Sequence, residues 1–222
     1  MLKPILAVAA LLAASPALAA GTATLQSATP NGVQSMTISW QDDDTARIDL
    51  PRGGSYTLVR DGEPYTVNRM DGQTMVLSLK GITPHVGLGF GPASDRYQAA
   101  SVESLRATGA TETVAGIAGE EYEMAWTDAN GSPHVDRVIL SDDPLVIEMT
   151  DAFLIFPRAL GQPEDPRTVA LRERGLGVLR KGDAFHITAI SGEVPPADQF
   201  TLPAPPMSMD QMMKGMMPGQ GQ

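Results

Sequence analysis

Apolar and polar residues alternate with period two at several places along this chain. Met36, Ile38 and Trp40 sit between Ser35, Thr37 and Ser39. Ala46, Ile48 and Leu50 alternate with Arg47 and Asp49, and Tyr122, Met124 and Trp126 alternate with Glu121, Glu123 and Thr127. Met75, Leu77 and Leu79 keep the same rhythm against Thr74 and Ser78, and residues 56–59 are short and β-prone. Period two puts successive side chains on opposite faces of a strand, so one face is buried and the other wet. Asp61-Gly62, Asp71-Gly72, Asn130-Gly131 and Lys181-Gly182-Asp183 separate these runs. Such pairs suit tight hairpins, because their positive φ angles match strand twist. The pattern predicts an antiparallel meander.

The rhythm changes once. Ser141-Asp142-Asp143-Pro144 offers capping oxygens and then a proline for the first helical turn. Leu145, Met149, Ala152, Phe153, Phe156 and Leu160 follow at spacings of mostly three and four, which is one apolar stripe on a helix. Pro157 is expected to end or kink it. A second, weaker helix is expected from Ser94-Asp95 to about Ala100, and residues 161–166 read as a loop. Residues 81–92, rich in Gly and Pro, take no element assignment, and residues 87–91 within them read as a mobile lip.

The first residues carry an address. A basic start at Lys3, an apolar run over residues 5–14, a break at Ser15-Pro16 and the small-x-small Ala17-Leu18-Ala19 are the layout of a secretory signal. The apolar run is too short to span a bilayer, which takes about 20 residues. Cleavage is expected after Ala19, with the mature chain beginning at Ala20 in the periplasm. No later segment is apolar and long enough to cross a membrane. Expected boundaries are therefore 1–19 signal peptide, 20–203 one domain, and 204–222 a poorly ordered tail rich in Met, Pro and Gly. A division into two domains near residues 81–92 is the alternative.

Composition narrows the function. The chain has 222 residues, no cysteine and a net charge of −10. Without cysteine there is no disulfide framework, thiolate metal site or cysteine nucleophile. A pI near 4.7 argues against nucleic acid, whose phosphates need clustered Lys and Arg. Losing Lys3 with the leader moves the net charge to −11.

Several residue groups are candidates for chemistry. Asp42-Asp43-Asp44 lacks the spacing and glycine of a calcium loop and fits a hairpin tip. His85, His134 and His186 are scattered, with no paired ligand spacing. Residues 87–91 lack the spacing of a dinucleotide fingerprint, and no Gly-x-Ser-x-Gly elbow occurs. Glu120 and Glu121 face opposite ways on a strand, and Asp142 and Asp143 belong to a helix cap. No nucleophile–base pair emerges, so the expectation is a protein that is not an enzyme and uses no cofactor. Met207, Met209, Met212, Met213, Met216 and Met217 crowd the C-terminus. Thioether sulfur favours Cu(I), so a copper-binding tail is one reading, and a flexible apolar tail packing on a groove or partner is the other.

Residues 108–117, Thr-Gly-Ala-Thr-Glu-Thr-Val-Ala-Gly-Ile, followed by Glu121-Tyr122, resemble a signature of small secreted bacterial proteins known as a domain of unknown function. Phe200-Thr201-Leu202-Pro203 and the Met-rich end are similar to the close of those proteins. The resemblance implies the open half-barrel of the outer-membrane lipoprotein carrier superfamily, which holds acyl chains between sheet and helices. Many relatives carry a cysteine where this chain has Ala118, and no catalytic residue carries over.

The expected fold is α+β and β-rich: a curved antiparallel meander forming an open half-barrel, with one or two helices packed on it. The expected function is an exported, non-enzymatic binding protein for an apolar small molecule or lipid, with a periplasmic protein as the other partner class. Met36, Trp40, Met75, Met124, Trp126 and Phe153 are most simply core. They would line a cavity if the helix stands off the sheet. The alternative function is periplasmic copper binding through the tail.

Overall fold

A computed structural model describes residues 19–29, 32–50, 54–70, 72–81, 99–182 and 184–216. Eleven strands form one antiparallel sheet. The first six are β1 (Gly21–Thr29), β2 (Gly32–Asp42), β3 (Thr45–Asp49), β4 (Tyr56–Arg60), β5 (Glu63–Met70) and β6 (Gln73–Ser78). The other five are β7 (Ala99–Val114), β8 (Ile117–Asp128), β9 (Pro133–Ser141), β10 (Gly177–Lys181) and β11 (Phe185–Ser191). Helix α1 (Pro144–Ala159) and helix α2 (Pro166–Arg172) lie between β9 and β10. A 3₁₀ helix (Ala197–Phe200) and helix α3 (Met209–Met216) follow β11.

The spatial order is β6-β5-β4-β3-β2-β1-β11-β10-β9-β8-β7. Two meanders therefore meet where β1 pairs with β11, from Thr22 opposite Ser191 to Ser27 opposite Phe185. The sheet is open, with β6 and β7 at its edges. This is the β-rich α+β class expected, and one sheet runs through both halves of the chain. The expected tips hold at Asp43-Asp44, Asp61-Gly62 and Asn130-Gly131, each between paired strands. The expected helix near Ala100 is corrected: Ala99 and Ala100 open β7, paired to β8, and residues 94–98 lie outside the described ones. Pro166, read as the end of a loop, instead starts α2 behind Asp165, whose side chain accepts from Arg167 N–H.

Strand parity gives the sheet two different faces. On the inner face, Ala23 and Leu25 of β1, Ile38 and Trp40 of β2, Ala46 and Ile48 of β3, Leu179 and Ile187 form one apolar field. Helix α1 seats on it through Val146, Met149, Ala152, Ile155 and Phe156, all buried. Its start is set by Asp143, whose carboxylate accepts from Leu145 N–H at 2.9 Å, with Pro144 in the first turn. Pro157 falls in the last turn, where it neither ends the helix nor stops the chain from continuing to Ala159. Thr150 ties helix to sheet: its Oγ1 donates to Val146 O and accepts from Val178 N–H.

The outer face is covered in two separate patches. Leu171 of α2 packs with Leu105, Met124, Trp126, Val138 and Leu140 at the β7 end. Phe200 of the 3₁₀ helix packs with Tyr56, Leu58, Val67 and Val76 at the β6 end, joined by Leu202 and Ala204. Between the patches, β1, β2 and β3 present Thr22, Thr24, Thr37, Ser39, Arg47 and Asp49.

One close approach fixes how α1 lies on the sheet. A methyl group at Gly177 would stand 2.5 Å from Val146 O and 2.7 Å from Ile147 N, both backbone atoms of α1. Backbone cannot rotate aside as a side chain can. Gly177→Ala is therefore expected to destabilise the chain by about 1–3 kcal/mol, read as a lower urea midpoint with unchanged slope.

Candidate functional site

The six residues expected to line an apolar cavity are placed on more than one surface. Met36, Trp40 and Phe153 belong to the inner cluster under α1. Met124 and Trp126 are buried on the outer face under α2. Met75 is half-buried on edge strand β6. The sheet thus brings together three of them on one side and two on the other. Trp40 is wholly buried, beneath the close approach of Gly21.

The outer face offers a hollow that the hydrophobic pattern did not single out. It has a volume of about 310 Å³ and is lined by Thr22, Thr37, Ser39, Arg47, Asp49 and Gln199. Arg47 is its fixed point. Its Nε donates to Asp49 Oδ2 at 3.0 Å, and its Nη1 donates to Gln199 O at 3.0 Å. Its guanidinium lies 3.7 Å from the Tyr56 ring centroid, in stacking range. The hydroxyls of Thr22 and Ser39 meet at 3.2 Å across β1 and β2, and those of Thr24 and Thr37 at 3.4 Å. The signal was present in the sequence, since Thr37, Ser39, Arg47 and Asp49 are the polar partners in the alternations. Only the β1–β2–β3 register shows that they form one row.

A second hollow, of about 460 Å³, lies where the tip of the β7–β8 hairpin approaches β10 and β11. Glu112, Arg180, His186 and Thr188 are among its lining, and Arg180 Nη1 meets Glu112 Oε1 at 2.8 Å.

Trp126 carries an ordered polar collar. His134 stacks on it at 4.2 Å, Arg167 lies 4.3 Å from its ring centroid, and its Nε1 donates to Asp136 Oδ2 at 2.8 Å. Lys181 Nζ pairs with that same oxygen at 2.8 Å. Asp128 accepts from the backbone N–H of Asn130 and Ser132 and, through Oδ2, from His134 Nε2 at 3.0 Å. The His134 bond first, and then the Ser132 N–H, hold the Asp128 carboxyl below its usual range. Beside α2, Glu164 is lowered chiefly by Arg172, whereas burial raises Asp151 against the pull of Arg172. These groups staple turns and helices. Among the described residues, no group of three or more His, Asp or Glu could hold a metal ion.

The remaining sequence candidates fall as follows. At the β2–β3 tip, Asp42 Oδ1 accepts from Asp44 N–H. Glu120 accepts from the Tyr122 hydroxyl. His85, the lip at residues 87–91 and Met217 lie outside the described residues. Met207 is 38% exposed, Met209 and Met212 are half-buried one turn apart on α3, and Met213 and Met216 continue that helix. Past Pro203 the described chain reaches the sheet, and residues 217–222 of the expected tail lie outside the described residues. Met207 N–H donates to Val76 O and Ser78 N–H donates to Met207 O, both at 2.9 Å, in a parallel bridge opposite Leu77.

No family model and no curated protein matches the chain. Among solved structures it is similar to a crystal structure of MucB in complex with MucA(peri). The identity is 17% over 84% of this chain and 55% of that one, with a TM-score of 0.31. A second structure, of the Pseudomonas aeruginosa MucA/MucB complex, is similar at 16% identity, covering 82% of this chain and 55% of that one, with a TM-score of 0.30. The chain therefore spans about half the length of the solved chains it matches. Likeness at this level carries no functional argument.

Two expectations follow from the site. Replacing Arg47 with Lys keeps the charge but loses the planar fork and the stacking on Tyr56. Asp49 is 40% exposed, so most of the expected loss, about 1–2 kcal/mol, comes from the Gln199 hydrogen bond and the stacking rather than the ion pair. Hydrogen exchange should quicken over residues 197–204 and stay unchanged in β1 and β2. For Asp128 the folded pKa lies below its unfolded value of 3.8. Its contribution is present above that value and is lost as pH falls through the lower, folded one. The stability deficit of Asp128→Asn should shrink as pH falls below about 4, as read by urea titrations at each pH.

Proposed function

We propose that this is an exported, non-enzymatic binding protein whose ligand is another polypeptide, held on the surface of the sheet rather than inside it. The observation that carries the reading is the way both faces of the sheet are filled. Helix α1 is seated on the inner face with Val146, Met149 and Ala152 buried. On the outer face, α2 and the segment around Phe200 cover the two apolar ends. An acyl chain between sheet and helix would have to displace α1 from that field. Burial of its five inner-face side chains is worth several kcal/mol at roughly 25 cal/mol per Å².

The groups left accessible are of a different kind. They are paired ions, hydroxyl rows and an open sheet edge, which suit recognition of a polypeptide by hydrogen bonds. The polar clusters at Arg47, Asp128 and Arg180 are each spent on internal partners, which favours binding over turnover. The signal-like first nineteen residues support action in the periplasm. The Met-rich end enters this reading through Met207, which the fold uses against β6.

Native mass spectrometry of the chain recovered from the periplasm tests the proposal. The expected result is a complex with a second polypeptide in simple stoichiometry and no lipid mass. A stoichiometric lipid adduct, or only the bare monomer, overturns it.

A further inference from the structure

We propose that the β6 edge is a docking strand for an extended segment of a partner protein, and that the chain's own residues 203–207 are a weak occupant holding the place. This rests on the polypeptide-binding reading above and names the surface and the kind of segment.

An edge strand exposes a row of unpaired N–H and C=O groups, which is a template for another strand. At β6 that template is already in use. Met207 takes the Val76 carbonyl and the Ser78 N–H in parallel orientation. The edge therefore accepts an added strand, and its direction is set. The occupant is badly made for the task. Pro203, Pro205 and Pro206 have no N–H to donate. Among the described residues the tail pairs with β6 at the single bridge of Met207, although β6 runs from Gln73 to Ser78. A proline-free segment could extend the ladder along Gln73, Thr74 and Met75, gaining main-chain hydrogen bonds the tail lacks.

The chemistry of the partner follows from the same edge. Val76 is buried toward the Phe200 cluster, so the segment has a place for apolar side chains on alternate positions. The net charge of −10 disfavours an acidic segment. The partner segment is extended, apolar at alternate positions, neutral or basic, and free of proline. The tail competes from within the same molecule, so its effective concentration is high while its contacts are few.

The test uses the full chain and three versions of it: unchanged, Met207→Ala and Met207→Pro. The alanine keeps the main-chain bridge, and the proline removes its donor. The probe is a rhodamine-labelled, C-terminally amidated peptide of residues 204–209 carrying Pro205→Thr and Pro206→Thr, which has neither proline nor an acidic side chain. Met207→Pro should bind the peptide at least tenfold more tightly than the unchanged chain, and Met207→Ala should match the unchanged chain. The Ser78 amide should be protected from exchange in the unchanged chain, exposed in Met207→Pro, and protected again when peptide is added. Equal binding by all three, no binding by Met207→Pro, or a freely exchanging Ser78 amide in the unchanged chain overturns the docking strand. Such a failure leaves the native mass result standing, so the two proposals fall separately.

Discussion

The pairing of β1 with β11 is the constraint on which the rest of the molecule depends. Each meander on its own has a free edge at that point, and neither offers α1 a wide enough apolar field. Joined, they give the helix Ala23 and Leu25 from the first strand beside Leu179 and Ile187 from the last two. The first strand pairs on one side with β2, its neighbour in sequence, and on the other with the last strand. Contacts so distant in sequence are slow to form, because loop closure must come before the contacts repay it. The register of this pairing shifts once, between Thr24 and Leu25, where β11 passes from Ala189 to Ile187.

From that junction the two faces diverge in character. The inner face is a continuous apolar field, because α1 brings a long stripe and is pressed against the sheet closely enough to require Gly177. The outer face has no element of comparable length. The seven residues of α2 and the four of the 3₁₀ helix cover its ends, leaving the hydroxyl and Arg47–Asp49 row in the gap. Arg47 spans the boundary, stacked on Tyr56 while holding Gln199. The hollow is thus a consequence of how little of the outer face is roofed.

Much of this was legible in the sequence where one local rule sufficed. Alternation marked β2, β3 and β8, Asp-Gly and Asn-Gly pairs marked tips, and Asp143-Pro144 marked the start of α1. What failed was of two kinds. Strands β1 and β7 are built from Thr, Ala, Ser and Glu, whose hydropathy contrast is too weak to show a period, and β7 also breaks its rhythm with three irregularities in register. The second kind is relational. Nothing local says that Met124 and Trp126 lie on the opposite face from Met36 and Trp40, because face assignment depends on register across strands that are distant in sequence. That is why the six apolar residues fall on more than one face, and why the polar row at Arg47 reads in the sequence only as spacing between core positions.

The two sheet edges show how differently the same hazard is handled. Strand β7 is long, but bulges near Ala99, Val102 and Ala107 interrupt it, and it carries Glu103, Arg106 and Glu112. An incoming strand would find neither a regular ladder nor a neutral surface, and this is a permanent defence against edge-to-edge pairing. Strand β6 is short and regular, paired residue for residue with β5 from Tyr65–Ser78 to Met70–Gln73. Its protection is a separate segment whose prolines limit it to one bridge. An edge that only had to be blocked could have been broken like β7. A regular edge under a removable cover keeps its capacity to pair, and this asymmetry makes β6 the edge built for a partner.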